Sequence, residues 1–358
     1  MTAIPGATVA VTGAASGIGR ALAIELAARG CDLALADRDE AGLKTVAAEI
    51  AKTSTRKVSL HRVDIGDPEA IAGFAREAIA AHPALNILIN NAGVALLGQF
   101  HEIDQAQMEW LFNINFWGAV HSTRAFLPHL SSQPSAHIVN LSSIFGIVAP
   151  PGQTAYAAAK FAVRGFSESL RHELQLAKSP VRLSVVHPGG IKTNIVRNSR
   201  AGTGVTDNER RVQSIERFDA IAQTSAKDAA RRILKGIEKN EPRILIGGDA
   251  RFMDILQRGD LPLREMIGAY AGEIGQTQFL PSSYIKYGVD FDGDGRVDLR
   301  RSAADVLAST ANLLHTNGFK MGAPYGEGSA NFEAMREWNH AVIYRKTIAY
   351  FADQLVGR

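Results

Sequence analysis

Tyr156 and Lys160 stand four residues apart in Tyr156-Ala157-Ala158-Ala159-Lys160, a spacing that puts both side chains on one face of a helix. A tyrosine with an ordinary pKa of about 10 is a poor base at neutral pH. An ammonium one turn away is expected to lower that value, because a nearby positive charge favours the phenolate. Tyr156 would then exchange a proton with a carbinol or carbonyl oxygen. Ser143, at the end of an apolar run, can hydrogen-bond the same oxygen and orient it. A lone serine at a strand end is more often a turn or cap residue. The three types together point to proton transfer at oxygen.

A second set of residues suits a dinucleotide. The first apolar run leads into Thr12-Gly13-Ala14-Ala15-Ser16-Gly17-Ile18-Gly19 and then a helical segment. Glycines at such a turn let the backbone approach a pyrophosphate, and the helix start supplies N–H donors. Asp37 ends the second run, 18 residues after Gly19. A carboxylate there can accept both hydroxyls of an adenosine ribose and repels a 2′-phosphate. It can also cap the next helix. Arg38 beside it can pair a 2′-phosphate, so NAD is favoured and NADP stays open. Asp64, ending the third run, is either a contact to the adenine edge or a turn carboxylate.

These groups need a scaffold, and the chain predicts one. Up to about residue 250, apolar and β-branched runs at 8–11, 33–36, 58–63, 87–89, 137–141, 181–186 and 244–246 alternate with helical segments at 18–28, 40–51, 68–81, 105–126, 154–176 and 226–238. Asp67-Pro68-Glu69 reads as a cap followed by proline at the first helical position. Apolar strands alternating with helices predict an α/β fold, a doubly wound parallel sheet with helices on both faces. After Gly248 the texture turns loop-rich, with helical patterns only near 304–315 and 332–354. A boundary near residue 255 is expected, giving domains 1–255 and 256–358, the second a mainly α, loop-rich extension.

Composition narrows the classes. Of 358 residues 46% are hydrophobic and 21% charged, and the net charge is +3, which fits a globular chain and implies neither a nucleic-acid nor a membrane-surface partner. With Cys31 as the single cysteine, neither an internal disulfide nor a cysteine-rich zinc site can form. The longest stretch without Asp, Glu, Lys or Arg, 125–159, is broken by Pro128, Pro134, Pro150 and Pro151 and predicts no membrane span. The N-terminus has no basic start or apolar core of a secretory signal, so a cytoplasmic address is expected.

On these motifs residues 1 to about 250 resemble the short-chain dehydrogenase/reductase family. The matching pieces are Thr12–Gly19, Asn90-Asn91-Ala92-Gly93, Asn115, Ser143, Tyr156 to Lys160, and Pro188-Gly189 with Thr193. The resemblance implies a Rossmann sheet of seven strands in the order 3-2-1-4-5-6-7 and hydride transfer between NAD(P) and a secondary alcohol or ketone. It implies that Asn115 holds a water in a proton relay through Lys160, and that Lys160 binds the nicotinamide ribose. Asn91 would lie near the adenosine ribose, while Thr193 and the Ile191 backbone would fix the nicotinamide carboxamide. It also implies homodimers or homotetramers paired through the helices near 105–126 and 154–176. On the substrate side, Val94, Leu96, Leu97, Ile144, Phe145, Ile147 and Val148 line an apolar pocket or belong to the core. Residues 191–217 read as a lid whose charges are more simply a solvated loop than a site for an anion.

The tail carries a different signature. Asp290, Asp292, Asp294 and Asp298 with Gly295 follow the start of an EF-hand calcium loop. Its twelfth position is Arg301, so Asp305 would have to complete it. A simple Asp-Gly turn is the alternative. The stretch from about 267 to 355 resembles the carboxyl-terminal part of B-type lytic murein transglycosylases. The match runs from Tyr270-Ala271-Gly272 to Tyr284, through Asn312 and His315 to Gly318, to Asn331-Phe332, Trp338-Asn339-His340 and Tyr344. That family's catalytic glutamate lies upstream, in a segment without a counterpart here, and a glycosidic oxygen needs such an acid. No lysis is expected. The tail is then an accessory or murein-binding piece, a remnant of gene fusion, or an assembly error in the sequence.

Overall fold

The computed structural model describes residues 2–205, 208–258, 281–299, 302–338 and 345–349. The chain divides into two compact units, Met1–Ala250 and Arg251–Arg358.

The first unit is built on seven parallel strands: β1 Thr8–Thr12, β2 Asp32–Asp37, β3 Val58–Arg62, β4 Ile87–Asn90, β5 Ala136–Leu141, β6 Val181–Pro188 and β7 Arg243–Ile246. They lie side by side as β3-β2-β1-β4-β5-β6-β7, and each neighbouring pair is parallel. β1, β4 and β5 are buried along their whole length, which is why they read as continuous apolar runs. Alternate side chains feed two cores. Val9, Val11, Leu33, Leu35, Ile87 and Ile89 face helices α1 (Gly17–Ala28), α2 (Glu40–Ala51) and the late helix Ala226–Glu238. Ala10, Ala34, Ala36 and Leu88 face the other way. The small alanines leave room there for Phe74 and Phe126, whose rings meet edge-on at 5.3 Å.

Helix α3 (Pro68–Ala81) starts as the sequence predicts, with the Asp67 side chain accepting from the Glu69 amide. The segment expected as one helix over 105–126 is three: α4 (Gln105–Phe112), a π turn over Asn113–Trp117, and α5 (Gly118–Ser131). After them come α6 (Thr154–Leu176), α7 (Asn208–Ile221), α8 (Ala226–Glu238) and α9 (Gly248–Arg258). α7 begins inside the segment 191–217 expected as a lid or solvated loop, where polar residues outweigh apolar ones, and α9 has no counterpart among the predicted helices. The sheet order turns at β1, flanked by β2 and β4, so the crevice for a ligand opens at the carboxyl ends of these strands. No helix among the described residues is long and apolar enough to cross a membrane.

In the second unit α10 (Pro281–Tyr287) and α11 (Ala303–Thr316) enclose a small core of Tyr284, Tyr287, Leu299, Val306 and Leu313, and α12 (Ala330–Ala334) follows them in the chain. Helix runs over 345–349 as well. Tyr270-Ala271-Gly272, Arg301, Asn339-His340 and Tyr344 lie outside the described residues, as does the end of the helix expected over 332–354.

One buried histidine should make the fold sensitive to acid. His137 on β5 is fully buried, with Nδ1 3.1 Å from Thr2 Oγ1 and Nε2 2.9 Å from Ser184 Oγ. Burial pushes its pKa down to about 3, with Arg182 adding to the effect. Below about pH 6.5 the unfolded chain takes up a proton that the folded chain refuses, so stability should fall as pH falls, by up to about 1.4 kcal/mol per pH unit. Denaturant midpoints between pH 6.5 and 5.5 check this. His137→Gln should flatten the slope, and an unchanged slope would remove His137 as its source.

Candidate active site

The turn after β1 is shaped by contacts that exclude side chains. Gly13 has φ +68, and a Cβ there would come within 2.8 Å of Ala92 Cα and 2.9 Å of Asn91 Nδ2. A Cβ on Gly19 would overlap the Gly13 carbonyl. Gly17 has φ +54, and its open side lies 3.3 Å from Thr193 Cγ2, so the loop after β6 meets the glycine turn. Ser16 caps α1 in extended conformation without using its side chain, which leaves first-turn N–H groups for an anion. Ile18 packs against the core. Asp37 stands at the end of β2; its Oδ2 accepts from Ala15 N at 3.0 Å and its Oδ1 from Asp39 N at 3.0 Å. Arg38 is exposed. Glycines without room for a Cβ, an uncapped helix start and a carboxylate at the next strand end together fit a dinucleotide.

Two residues expected in the cofactor site also serve the fold here. The Asn91 side chain, expected near the ribose, donates to Thr12 O at 2.9 Å and Gly13 O at 3.1 Å, and so braces the glycine turn. Thr12 Oγ1 accepts from the amides of Asn91 and Ala92, each at 3.1 Å. Asp64 is exposed and accepts from Gly66 N at 2.9 Å, which realises the turn alternative for one of its oxygens.

The residues expected to transfer protons gather at the ends of β4, β5 and the start of α6. Ser143 is buried and starts a short 3-10 turn, with Oγ accepting from Phe145 N at 3.1 Å. Lys160 is buried and donates to Leu141 O at 3.0 Å. Its Nζ lies 5.7 Å from the centre of the Tyr156 ring. Asn115 sits in the π turn, buried, accepting from Val94 N at 2.8 Å and donating to Val94 O at 2.9 Å. π turns commonly mark functional sites. The absent Cβ of Gly93 leaves a point 3.3 Å from Asn115 Oδ1 and 3.5 Å from Lys160 Nζ, so these two residues flank one spot.

The electrostatics differ from the sequence expectation. Burial pushes the Tyr156 hydroxyl up to about 12, and the Ser143 hydroxyl opposes this only in part. Lys160 is the charged neighbour, its Nζ 5.7 Å from the ring centre. The lysine is itself pushed down to about 8 by burial, so burial opposes charge on both groups. Sequence reasoning missed His187, which is fully buried on β6 and whose Nδ1 lies 2.9 Å from Ser143 O. A carbonyl only accepts, so Nδ1 donates and holds the Ser143 backbone. The signal was a histidine between the apolar pair Val185-Val186 and Pro188.

Tyr156 is flanked by apolar groups. Val94, Leu96, Ile103, Met108, Trp110, Leu111 and Phe112 cluster with it, and the Phe145 ring stands edge-on to it at 6.2 Å. Of the residues expected to line a pocket, Phe145 reaches the tyrosine, Val94 and Leu96 belong to the cluster it packs against, Ile147 is buried core, and Leu97, Ile144 and Val148 are half-buried. Within 191–217, Arg200 stacks over Trp110 at 3.9 Å, Arg210 pairs with Glu102 at 2.5 Å and Arg197 pairs with Asp219. These arginines have partners, as a solvated segment would give them.

The tail loop brings together three of the five expected carboxylates. Asp290, Asp292 and Asp305 have oxygens within 4.8 Å of one another; Asp294 and Asp298 stand outside that group. The Asp305 oxygens accept from Phe291 N and Asp298 N, each at 2.8 Å, and Asp290 accepts from Gly293 N and Gly295 N. The five-carboxylate calcium site is therefore not assembled. The loop holds itself by turn hydrogen bonds, and calcium has no support from it.

A nucleotide-binding α/β unit with a tyrosine–lysine–serine site is the class this geometry defines. The short chain dehydrogenase family matches over residues 7–204 and the transglycosylase SLT domain over residues 250–330. "Putative oxidoreductase SadH" of Mycobacterium tuberculosis is 42% identical over 260 residues, which span 72% of this chain and 92% of that protein. "Dehydrogenase/reductase SDR family member 7B" of Xenopus tropicalis is 30% identical, spanning 68% of this chain and 77% of that protein. A short chain dehydrogenase/reductase from Burkholderia phymatum, solved in complex with NAD, superposes with a TM-score of 0.66 at 28% identity, covering 74% of this chain and 97% of that one. The chain belongs to the short-chain dehydrogenase family and is an oxidoreductase, followed by a transglycosylase-like tail.

Proposed function

We propose that the chain moves a hydride between NAD and a small secondary alcohol or ketone, with Tyr156 as general acid and base. The bound dinucleotide supplies or accepts the hydride. In alcohol oxidation Tyr156 takes the hydroxyl proton as the carbon gives up its hydride; in ketone reduction it returns that proton to the oxygen. Ser143 orients the reacting oxygen. Asn115 holds a water in a proton relay that runs through Lys160 to the tyrosine side, and Lys160 also holds the nicotinamide ribose. Gly13, Ser16, Gly17, Ile18 and Gly19 cradle the pyrophosphate, and Ala92, Gly93, Pro188, Gly189, Ile191 and Thr193 complete the cleft. The observation that carries this reading is the meeting of Tyr156, Ser143 and Lys160 beside the glycine turn, against an apolar wall. Turnover of NADH and NADPH against a panel of small alcohols and ketones tests it, and no turnover with any of them would overturn it.

Asp37 favours NAD over NADP. Its carboxylate stands on the amide of Ala15, inside the glycine turn, where a 2′-phosphate would meet its charge. Asp37→Ala should weaken NAD binding about tenfold and improve tolerance of NADP, since a charge-assisted hydrogen bond is worth about 1.5 kcal/mol or more. Direct titration decides; tighter NADP binding by the unaltered protein would give the assignment to Arg38.

We read the chain as a dehydrogenase domain over 1–255 and an extension over 256–358, which works as a homodimer or homotetramer in the cytoplasm. The transglycosylase match favours a second reading, murein contact by the tail. A chain ending at Arg258 should keep NAD-linked turnover, and the full chain should release no anhydro-muropeptides from purified murein. Release by the full chain that is lost on truncation would give the tail a glycan activity.

A further inference from the structure

We infer that Asp249 is a positioning residue for the nicotinamide end of the dinucleotide, acting through the backbone of Gly189 and Gly190. β6 and β7 end together, with Ile246 opposite Pro188. The Gly189 amide finishes their ladder by donating to Ile246 O at 2.9 Å. The next amide, Gly190 N, leaves the ladder and donates to Asp249 Oδ2 at 2.7 Å, across 59 residues of chain. Asp249 Oδ1 accepts from Ala250 N at 2.9 Å, so the carboxylate ties the start of α9 to the loop. On the far side, Gly190 O accepts from Thr224 N at 3.3 Å, and Ile191 pairs with Thr224. Gly190 is therefore held at both its polar atoms.

Two glycines make room for this carboxylate. A Cβ on Gly189 or on Gly247, which has φ +95, would overlap Asp249 Oδ1. A cap for α9 alone would need neither glycine nor the reach back to Gly190. The clamped segment runs on through Ile191 to Thr193, which meets Gly17 at the glycine turn. Fixing Gly190 thus fixes the whole span between the strand end and the pyrophosphate turn. Held this way, the Ile191 amide and the Thr193 side chain meet the cofactor without having to be ordered at the moment of binding.

The inference rests on the reading of Pro188–Thr193 as the nicotinamide-side loop. Its test is calorimetric titration of the full-length chain with NAD, together with steady-state kinetics on the best alcohol of the panel. Asp249→Ala should raise the Kd and KM for NAD about tenfold and leave kcat within about twofold. Asp249→Asn keeps an acceptor for Gly190 N and should recover most of the affinity. Gly189→Ala alone should weaken binding as strongly as Asp249→Ala, yet add little in the Asp249→Ala background, where its methyl group has space. Unchanged NAD affinity in Asp249→Ala would overturn the inference while leaving the proposed function standing, as would additive losses in the double variant. An unaltered protein that binds neither NAD nor NADP would overturn both. Should Asp249→Ala fail to fold, a Kd for Asp249→Asn equal to that of Gly189→Ala would count against the positioning role, and a Kd near the unaltered value would support it.

Discussion

Replacing Tyr156 with phenylalanine should remove turnover while leaving the dinucleotide bound. The ring would keep its place against Phe145 and the apolar cluster around it, so only the hydroxyl is lost. General acid–base catalysis of this kind contributes roughly 10²- to 10⁴-fold, and kcat should fall by at least that much with the Kd for NAD within about twofold. With Tyr156 as the proposed acid and base, the pH dependence should follow from the same group. Burial pushes the hydroxyl up to about 12, so it is protonated at neutral pH before cofactor binds. Ketone reduction needs that proton and should be flat through neutral pH. Alcohol oxidation needs the phenolate and should speed up as pH rises. Near-native turnover in Tyr156→Phe, or oxidation that slows with rising pH, would remove Tyr156 from the chemistry.

Gly19→Ala should abolish dinucleotide binding. A Cβ at this position would overlap the Gly13 carbonyl and come within 2.5 Å of Asn91 Nδ2. Neither neighbour is the loose end of a flexible side chain. Asn91 is fixed by its bonds to Thr12 O and Gly13 O, so the turn itself must move. A displacement of about 1 Å in a positioning element can cost 10²-fold, and the Kd for NAD should rise by at least about that factor. Circular dichroism and a melting curve establish that the variant is folded, and titration then reads the loss. Binding at native strength by folded Gly19→Ala would show that the turn does not hold the dinucleotide.

The sequence by itself determined the alternation of strands and helices, because strands buried on both faces must be apolar throughout and helices beside them must be amphipathic. It determined the cap at Asp67 and Pro68, the glycine turn, and the pairing of Tyr156 with Lys160 one helical turn apart, since each depends on residues close together in the chain. The tertiary structure decided what distance in the chain concealed. The Asn91 side chain turned out to brace the glycine turn, because β4 lies beside β1 and brings its carboxamide to the Thr12 and Gly13 carbonyls. His187 and Asp249 came into view only once β6 and β7 set them against Ser143 and Gly190. The helix predicted over 105–126 acquired a π turn at Asn115, where side-chain bonds to Val94 override the local pattern. The direction of the Tyr156 shift was likewise decided by packing: helical spacing supplied the neighbouring ammonium, but burial, which no spacing reveals, governs the energy of a buried charge and holds the hydroxyl protonated.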